Sequence, residues 1–201
     1  MTMVSPFRLF ESDLNYFKIA TNQEIGAELR EFFCEPKNEY LWKLNTQRQD
    51  TTKELKHTEA IHLRYIKNLP THFNTLQSNQ LMDVGTSNAM SIPIFYKSFK
   101  WFQTALENTG AKNIEFGRIF VSRLAPLSKI DLHIDEGKYF SYYDRFHFTI
   151  TAAAENSFFI KDEDCIMAED SLFWVDNHVP HWLENKSTQA RINFILDVRL
   201  S

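Results

Sequence analysis

The chain has 201 residues, of which 43% are hydrophobic and 24% are charged, a composition typical of an ordinary globular protein and not of a disordered segment. Its formal net charge is −4 and it contains no run of basic residues, which disfavours a nucleic-acid partner. No apolar stretch is long enough for a membrane span, the N-terminus lacks a signal-peptide pattern, and Cys34 and Cys165 lie in no CxxC pattern, so we expect a cytoplasmic protein with free thiols.

Helical periodicity dominates the chain before Gly110. A first helix is predicted from a run of apolar residues that share one face, namely Ile25, Leu29, Phe32 and Phe33. Thr21 and Glu24 have the spacing of a capping box and are predicted to start this helix.

A second helix is predicted over 93–108, with Pro93 in its first turn and Gly110 as its C-terminal cap. Between the two helices, residues 60–66 alternate and are rich in branched side chains, which predicts a strand. The stretch 68–92 is polar and irregular, and we expect a long surface loop there.

The pattern after Gly110 changes to short strands. Eight are predicted, near 114–123, 129–134, 144–151, 157–161, 164–168, 171–176, 180–184 and 190–199. So many short strands in sequence are typical of a small barrel or of a jelly roll, the double-stranded β-helix of cupin-like proteins. We therefore predict a mainly β fold with N-terminal helices (α+β), in which a helical or mixed region over 1–112 packs on a barrel core over 113–201 in one compact unit.

The strongest local signal for chemistry is His-Ile-Asp at 133–135. Residues two apart in a strand point to the same face, so His133 and Asp135 are candidates for one metal site, with His181 as a third ligand from a distant strand. Two histidines and a carboxylate on one face of a metal are typical of Fe(II) oxygenases, because the remaining positions stay open. Taken alone, the pattern more often reflects a surface aspartate beside a buried, hydrogen-bonded histidine. His178 is a weaker candidate for the third ligand.

Arg191 lies ten residues after His181, in a strand whose alternation puts Arg191, Asn193, Ile195 and Asp197 on one face. An arginine that points into a barrel beside a metal can grip a carboxylate with two hydrogen bonds. The alternative is a solvated or salt-bridged arginine at the end of a strand.

The segment 144–150 alternates between an apolar face and a face with Arg145, His147 and Thr149. Such a polar face fits the lining of a ligand pocket. It fits an outer, solvent-exposed face equally well.

Several of these motifs occur together in a fixed order. Ser122, in V-S-R-L-A-P, precedes H-I-D by eleven residues, and R-F-H, F-W-V-D-N, H-W-L-E-N-K-S and R-I-N-F-I-L-D-V follow. In this respect the stretch from about 118 to 198 resembles the aspartyl/asparaginyl β-hydroxylase family, including its bacterial proline-hydroxylase-like branch. The first 110 residues carry no motif of this kind.

The resemblance implies roles for particular residues. His133 and His181 look like the iron-binding histidines, Arg191 like the arginine that grips the distal (C5) carboxylate of 2-oxoglutarate, and Ser122 like its hydroxyl partner. Arg145 and His147 look like the pair near the C1 end of the co-substrate. By the same resemblance, Asn185 looks like a structural residue that holds a turn.

Two departures separate this chain from the animal members of the family. They have glycine where this chain has Asp135, so this chain is more similar to the branch with a complete His-Asp-His triad. The family's Pro-Gly after the serine is Pro126-Leu127 here.

The resemblance implies an Fe(II)-, 2-oxoglutarate- and O2-dependent dioxygenase that hydroxylates an amino acid, free or within a peptide, and converts 2-oxoglutarate to succinate and CO2. One alternative is a cupin-like metal enzyme without 2-oxoglutarate. Cupins usually carry HxH, however, and Arg191 has no purpose there. The other alternative is a non-catalytic binding module with a decayed site, against which the complete set of site residues argues.

Overall fold

The computed structural model describes residues 14–45, 53–67, 84–154 and 156–201. The α-helices in these ranges are α1 (Gln23–Cys34), α2 (Pro93–Glu107) and the short α3 (Lys138–Tyr142). Short 3-10 helices cover Pro36–Lys43, Lys53–Leu55 and Asn88–Ser91. None of the helices described is long and apolar enough to cross a membrane.

The described strands form two antiparallel sheets. Those that precede α2 are β1 (Tyr16–Thr21), β2 (Thr58–Ile66) and β3 (Val84–Thr86). Those that follow it are β4 (Ile114–Leu124), β5 (Ser128–His133), β6 (Asp144–Thr151), β7 (Asn156–Ile160), β8 (Glu163–Cys165), β9 (Ser171–Val175), β10 (His181–Asn185) and β11 (Arg191–Leu200). The large sheet has the order β1-β9-β6-β11-β4-β2-β3, and the small sheet has the order β5-β10-β7-β8.

The eight strands predicted after Gly110 are all present, and four of them lie in each sheet. The predicted double-stranded β-helix with N-terminal helices is thereby confirmed. The strands before α2 extend the large sheet at both edges, since β1 pairs with β9 and β2 pairs with β4. Both parts of the chain therefore contribute to one sheet.

The large sheet has two different buried faces. On one face, Phe146, Phe148 and Phe194 pack with Phe102 of α2 and Leu29 of α1 in the largest hydrophobic core. Ring centroids of Phe102 and Phe194 are 4.8 Å apart. The helices thus cover the outside of this sheet, which leaves its other face turned toward the small sheet.

Contacts between the inner faces of the two sheets form a second, smaller core. It joins Leu124, Phe173 and Val175 of the large sheet to Phe158 and Leu183 of the small sheet. The polar residues of 144–150 lie on this inner side, where Arg145, His147 and Thr149 are buried. The solvent-exposed alternative for that face is therefore wrong, and its side chains point into the protein.

The start of α1 differs from the sequence prediction. Thr21 is the last residue of β1, and the N-cap is Asn22, whose side chain accepts a hydrogen bond from the backbone N–H of Ile25 at 3.0 Å. Asparagine is among the best N-cap residues, and the strand pairing with β9 keeps Thr21 extended. The capping box is therefore wrong by one residue.

The predicted loop over 68–92 is interrupted. Residues 68–83 lie outside the described residues, but β3 and a 3-10 helix occupy most of 84–91. Helix α2 ends at Glu107 with Asn108 as its C-cap, and Gly110 follows with φ 90°. Leu127, which replaces the family's glycine, also has a positive φ of 51°, a conformation that glycine adopts more easily.

Candidate active site

Two histidines lie side by side on adjacent strands of the small sheet. His133 is the last residue of β5 and His181 is the first residue of β10, and the two are paired in the antiparallel register. Their ring centroids are 4.3 Å apart. Strand pairing, and not sequence proximity, therefore brings these two rings together.

Each of the two rings is oriented by a backbone carbonyl two residues earlier. Nδ1 of His133 lies 2.7 Å from the carbonyl oxygen of Asp131, and Nδ1 of His181 lies 2.9 Å from that of Val179. A carbonyl oxygen only accepts, so in the neutral form of each ring the proton is on Nδ1 and Nε2 keeps its lone pair. Burial lowers the pKa of His181 to about 4, which keeps this ring neutral near pH 7.

Asp135 lies just beyond β5. Its backbone N–H donates to the carbonyl of Asn177 at 3.1 Å, and the amide of Asn177 donates back to Oδ2 of Asp135 at 3.1 Å. Arg145 forms an ion pair with the same Oδ2. Burial alone would raise the pKa of this carboxyl, but the Arg145 guanidinium, the two histidines and the Asn177 amide together outweigh burial and hold the pKa well below its usual range.

The three side chains form a group of suitable size for one metal ion. One ligand atom from each of His133, Asp135 and His181 lies within 4.8 Å of the others. The free Nε2 atoms and an ionised carboxylate are the donor set that non-haem Fe(II) accepts. Carbonyl acceptors on the other ring nitrogen are the usual support of metal-binding histidines. The residues present thus fit a divalent metal.

Arg191 is a buried cation with no anion beside it in the described part of the chain. The residue is only 2% exposed, and its Nε has no hydrogen-bond partner among the described residues. Its one described polar contact is with Sδ of Met167 at 3.7 Å, and sulfur is a weak acceptor. Burial lowers its pKa from 12.5 to about 10. An uncompensated buried guanidinium of this kind is suited to binding an anionic ligand.

A cavity of about 50 Å³ between the two sheets connects the histidines to Arg191. Its lining includes Ser122, His147 and Asn193 of the large sheet. Nδ1 of His147 and Oδ1 of Asn193 are buried without a hydrogen-bond partner in the described part of the chain. Buried polar atoms that lack a protein partner are usually hydrogen-bonded to a ligand or to water.

Asp135 belongs to a network of buried charged residues that also includes Arg145, Asp197 and Arg118. Asp197 is paired with Arg145 in the register of β6 and β11, and its Oδ1 accepts from Nε of Arg145 at 2.9 Å. Its Oδ2 accepts from Nε of Arg118 at 2.8 Å and from the hydroxyl of Tyr139 at 3.0 Å. The alternation of 190–199 predicts the face of Asp197 but not these partners.

The seven site residues predicted from the sequence lie together, in the lining of this cavity or directly beside it. Six line the cavity, namely Ser122, His133, Arg145, His147, His181 and Arg191, and Asp135 contacts Arg145. Sequence reasoning missed Asn177, Arg118 and Tyr139. The only signal for Asn177 was its position in the F-W-V-D-N motif.

Two other residues have roles outside this group. His178 lies apart from the three candidate ligands, with Nδ1 3.2 Å from Asp176 and Nε2 2.6 Å from the carbonyl oxygen of Phe140. The amide of Asn185 donates to the carbonyls of Ala125 and Gln189 and so ties two turns together, as a structural residue would.

Comparison with known families identifies one match that covers nearly the whole chain. The family model described as aspartyl/asparaginyl beta-hydroxylase matches residues 21–200. No curated protein matches the chain.

Two prolyl hydroxylases of known structure share the fold at low sequence identity. The viral collagen prolyl hydroxylase of Paramecium bursaria Chlorella virus 1, in complex with 2-oxoglutarate, has a TM-score of 0.50 and 11% identity, covering 94% of this chain and 97% of that chain. A Pseudomonas putida prolyl-4-hydroxylase has a TM-score of 0.50 and 11% identity, covering 92% of both chains. A 2OG-Fe(II) oxygenase of Burkholderia pseudomallei has a TM-score of 0.43 and 12% identity, covering 71% of this chain and 66% of that one.

Proposed function

Since the chain belongs to the aspartyl/asparaginyl β-hydroxylase family, it is a 2-oxoglutarate- and Fe(II)-dependent dioxygenase, and we propose that it hydroxylates an amino acid, free or within a peptide. The observation that carries the proposal is a cavity lined by His133 and His181, whose ligand atoms lie within 4.8 Å of that of Asp135, and by Arg191, which has no anion beside it among the described residues. The two histidines and Asp135 suit a metal ion, and Arg191 suits a carboxylate group of a dicarboxylate.

We assign the metal to His133, Asp135 and His181. The two histidines present Nε2, because their Nδ1 protons are held by backbone carbonyls. Asp135 presents Oδ1, which lies 3.9 Å from Nε2 of His133, because Arg145 and Asn177 occupy Oδ2. Three ligands on one side of an ion leave positions open for other molecules.

We assign the distal carboxylate of 2-oxoglutarate to Arg191, with Ser122 as its hydroxyl partner. The two residues lie on adjacent strands, since Ser122 of β4 is paired with Asn193 of β11. A guanidinium binds a carboxylate with two parallel hydrogen bonds, and in a buried site such a charge-assisted pair is stronger than in water. His147 is buried, and its Nδ1 has no hydrogen-bond partner among the described residues, so we assign it to the C1 end.

The chemistry that the bound iron and 2-oxoglutarate supply with O2 is oxidative decarboxylation to succinate and CO2, coupled to hydroxylation of a C–H bond. The protein orients the co-substrate through Arg191 and fixes the ligand geometry through the carbonyls of Asp131 and Val179. Most of the charged groups at the site are buried, and a lower local dielectric constant strengthens polar contacts between buried groups.

The cupin-like alternative does not explain Arg191. A metal enzyme without an anionic co-substrate has no need for an unpaired buried guanidinium in its cavity. The prolyl hydroxylases of similar fold are too distant in sequence to assign a proline substrate.

Succinate formation tests the proposal directly. Purified protein with Fe(II), ascorbate and 2-oxoglutarate is assayed for succinate, first alone and then with a panel of free amino acids and short peptides. We expect slow uncoupled turnover alone and faster turnover with the true substrate. Absence of succinate with every panel member, in protein shown to bind Fe(II), would contradict the dioxygenase assignment.

A further inference from the structure

The two oxygens of Asp135 have different surroundings. Oδ2 forms the ion pair with Arg145 and accepts the amide of Asn177 at 3.1 Å. Oδ1 is the oxygen that faces the histidines, 3.9 Å from Nε2 of His133. When hydrogen-bond donors hold one oxygen of a carboxylate, the other oxygen remains available as a monodentate metal ligand.

Arg145 contacts two carboxylates at once. One end of its guanidinium pairs with Asp135, and its Nε donates to Asp197 at 2.9 Å. The side chain is 10% exposed. Its described strong contacts therefore go to protein carboxylates, in contrast to Arg191, which has none among the described residues.

Asp197 is itself held from the other side. Its Oδ2 accepts from Arg118 and Tyr139 at 2.8 and 3.0 Å. The register of β11 against β4 shifts between Leu196 and Val198, because β4 has one extra residue opposite Asp197, at Gly117–Arg118. A bulge of this kind re-aims a side chain, here that of Arg118 toward Asp197. The negative charges of Asp135 and Asp197 therefore balance the positive charges of Arg145 and Arg118 before any metal binds.

We propose that Arg145 is a positioning residue, which holds Oδ2 of Asp135 so that Oδ1 points to the metal, and which is itself held by Asp197. The proposal rests on the metal site assigned above. It adds this role to the contact with the C1 end of 2-oxoglutarate that the family resemblance implies. The two roles predict different losses when Arg145 is replaced.

The experiment measures two affinities separately. Co(II) serves as the metal probe, with its visible absorption as the readout, and 2-oxoglutarate binding to the Co(II)-loaded protein is measured by calorimetry. The variants are Arg145→Met, Arg145→Lys and Asp197→Asn. The control is Arg123→Met, which removes another arginine that bridges two carboxylates, Glu39 and Glu59, away from the metal site.

We expect Arg145→Met and Asp197→Asn each to weaken Co(II) binding by about 10–100-fold, the range for partners of metal ligands. Arg145→Lys keeps the charge but cannot bond both carboxylates, so it should recover part of the affinity. Arg123→Met should bind Co(II) like the wild type. Circular dichroism and thermal melts identify any variant that fails to fold. If Arg145→Met does not fold, the affinities of Arg145→Lys and Asp197→Asn provide the test.

A double-mutant cycle separates positioning from general destabilisation. In an Asp135→Asn background, replacing Arg145 with Lys should cause little further loss of Co(II) affinity, because the oriented ligand is already gone. An equal loss in both backgrounds would overturn the proposal, as would unchanged Co(II) affinity with weakened 2-oxoglutarate binding. A wild type that does not bind Co(II) at all would overturn the metal site itself.

Discussion

His133 and His181 are cross-strand neighbours, and each donates its Nδ1 proton to the carbonyl two residues before it, at 2.7 and 2.9 Å. The same local geometry is repeated on two strands of opposite direction. Both rings therefore turn the unprotonated Nε2 in the direction where a metal would lie. This shared tautomer is the structural basis of the first prediction.

Replacing either histidine with alanine should weaken Fe(II) binding by more than about 100-fold, beyond the range seen when only a partner of a ligand is lost. Anaerobic titration measures the affinity, and circular dichroism checks the fold. His178→Ala is the matched control, because His178 is three residues from His181 and contacts Asp176 and Phe140 instead. If His178→Ala lost Fe(II) binding and His181→Ala kept it, the ligand assignment would be wrong.

Replacing Arg191 should separate stability from co-substrate binding. Arg191→Met removes an unpaired buried charge, so the free energy of unfolding of the ligand-free protein should rise by about 1 kcal/mol or more. In the wild type with metal, 2-oxoglutarate at about 100 times its Kd should add about 2.7 kcal/mol, and in Arg191→Met this gain should vanish. Denaturant unfolding with and without the co-substrate measures both effects.

Arg191→Lys refines that prediction. Lysine keeps the charge but loses the two-pronged geometry, so the apparent 2-oxoglutarate requirement should rise sharply while Fe(II) affinity changes little. Equal 2-oxoglutarate affinity in Arg191→Lys and the wild type would argue against a bidentate grip.

Asp135→Gly tests the position at which this chain differs from the animal members of the family. If Asp135 is a ligand, the glycine variant should bind Fe(II) more weakly and form less succinate. Asp135→Asn serves beside it, because the amide oxygen can still accept from Arg145 and so preserves the local packing. Near-wild-type iron affinity and turnover in Asp135→Gly would instead make Asp135 a group that only orients its neighbours.

The two cysteines should differ in reactivity. Cys34 is exposed, whereas Cys165 is buried, and burial raises the pKa of its thiol to about 12. Because the thiolate is the reactive form, a thiol reagent at pH 8 should label Cys34 quickly and Cys165 only after unfolding. Mass spectrometry of the labelled peptides measures this difference. Rapid labelling of both residues in the native protein would contradict the buried position of Cys165.

The same shift has a consequence for stability. In the unfolded chain Cys165 ionises near its ordinary pKa of about 8.5, but in the native protein it stays protonated up to about 12. The unfolded state thus binds fewer protons above pH 8.5, so stability should fall as the pH rises through this window. Cys165→Ala should lack this part of the slope.

Period-two alternation made the barrel strands predictable. The segments around Arg145 and Arg191 each have one apolar face and one polar face, and the structure buries both faces because helices cover one side and a second sheet covers the other. Spacing alone could not distinguish a buried polar face from a solvated one. The convergence of several motifs on one family resolved that ambiguity.

Other features depended on pairing between distant segments. Thr21 has the right spacing for a helix cap, but its pairing with Ser171 in the sheet places it in β1 and moves the cap to Asn22. The partners of Asp197 depend on the register of three strands and a local irregularity, which alternation does not encode. Such tertiary contacts were beyond what the sequence pattern could predict.

The unequal depth of the site residues has a kinetic consequence. The His133 side chain is 26% exposed, whereas Arg191, which lines the same cavity, is 2% exposed. A prime substrate bound over His133 would block access to Arg191 from that side, so 2-oxoglutarate should bind first. Steady-state kinetics should then follow a compulsory order, in which a prime substrate added before 2-oxoglutarate forms a dead-end complex and inhibits.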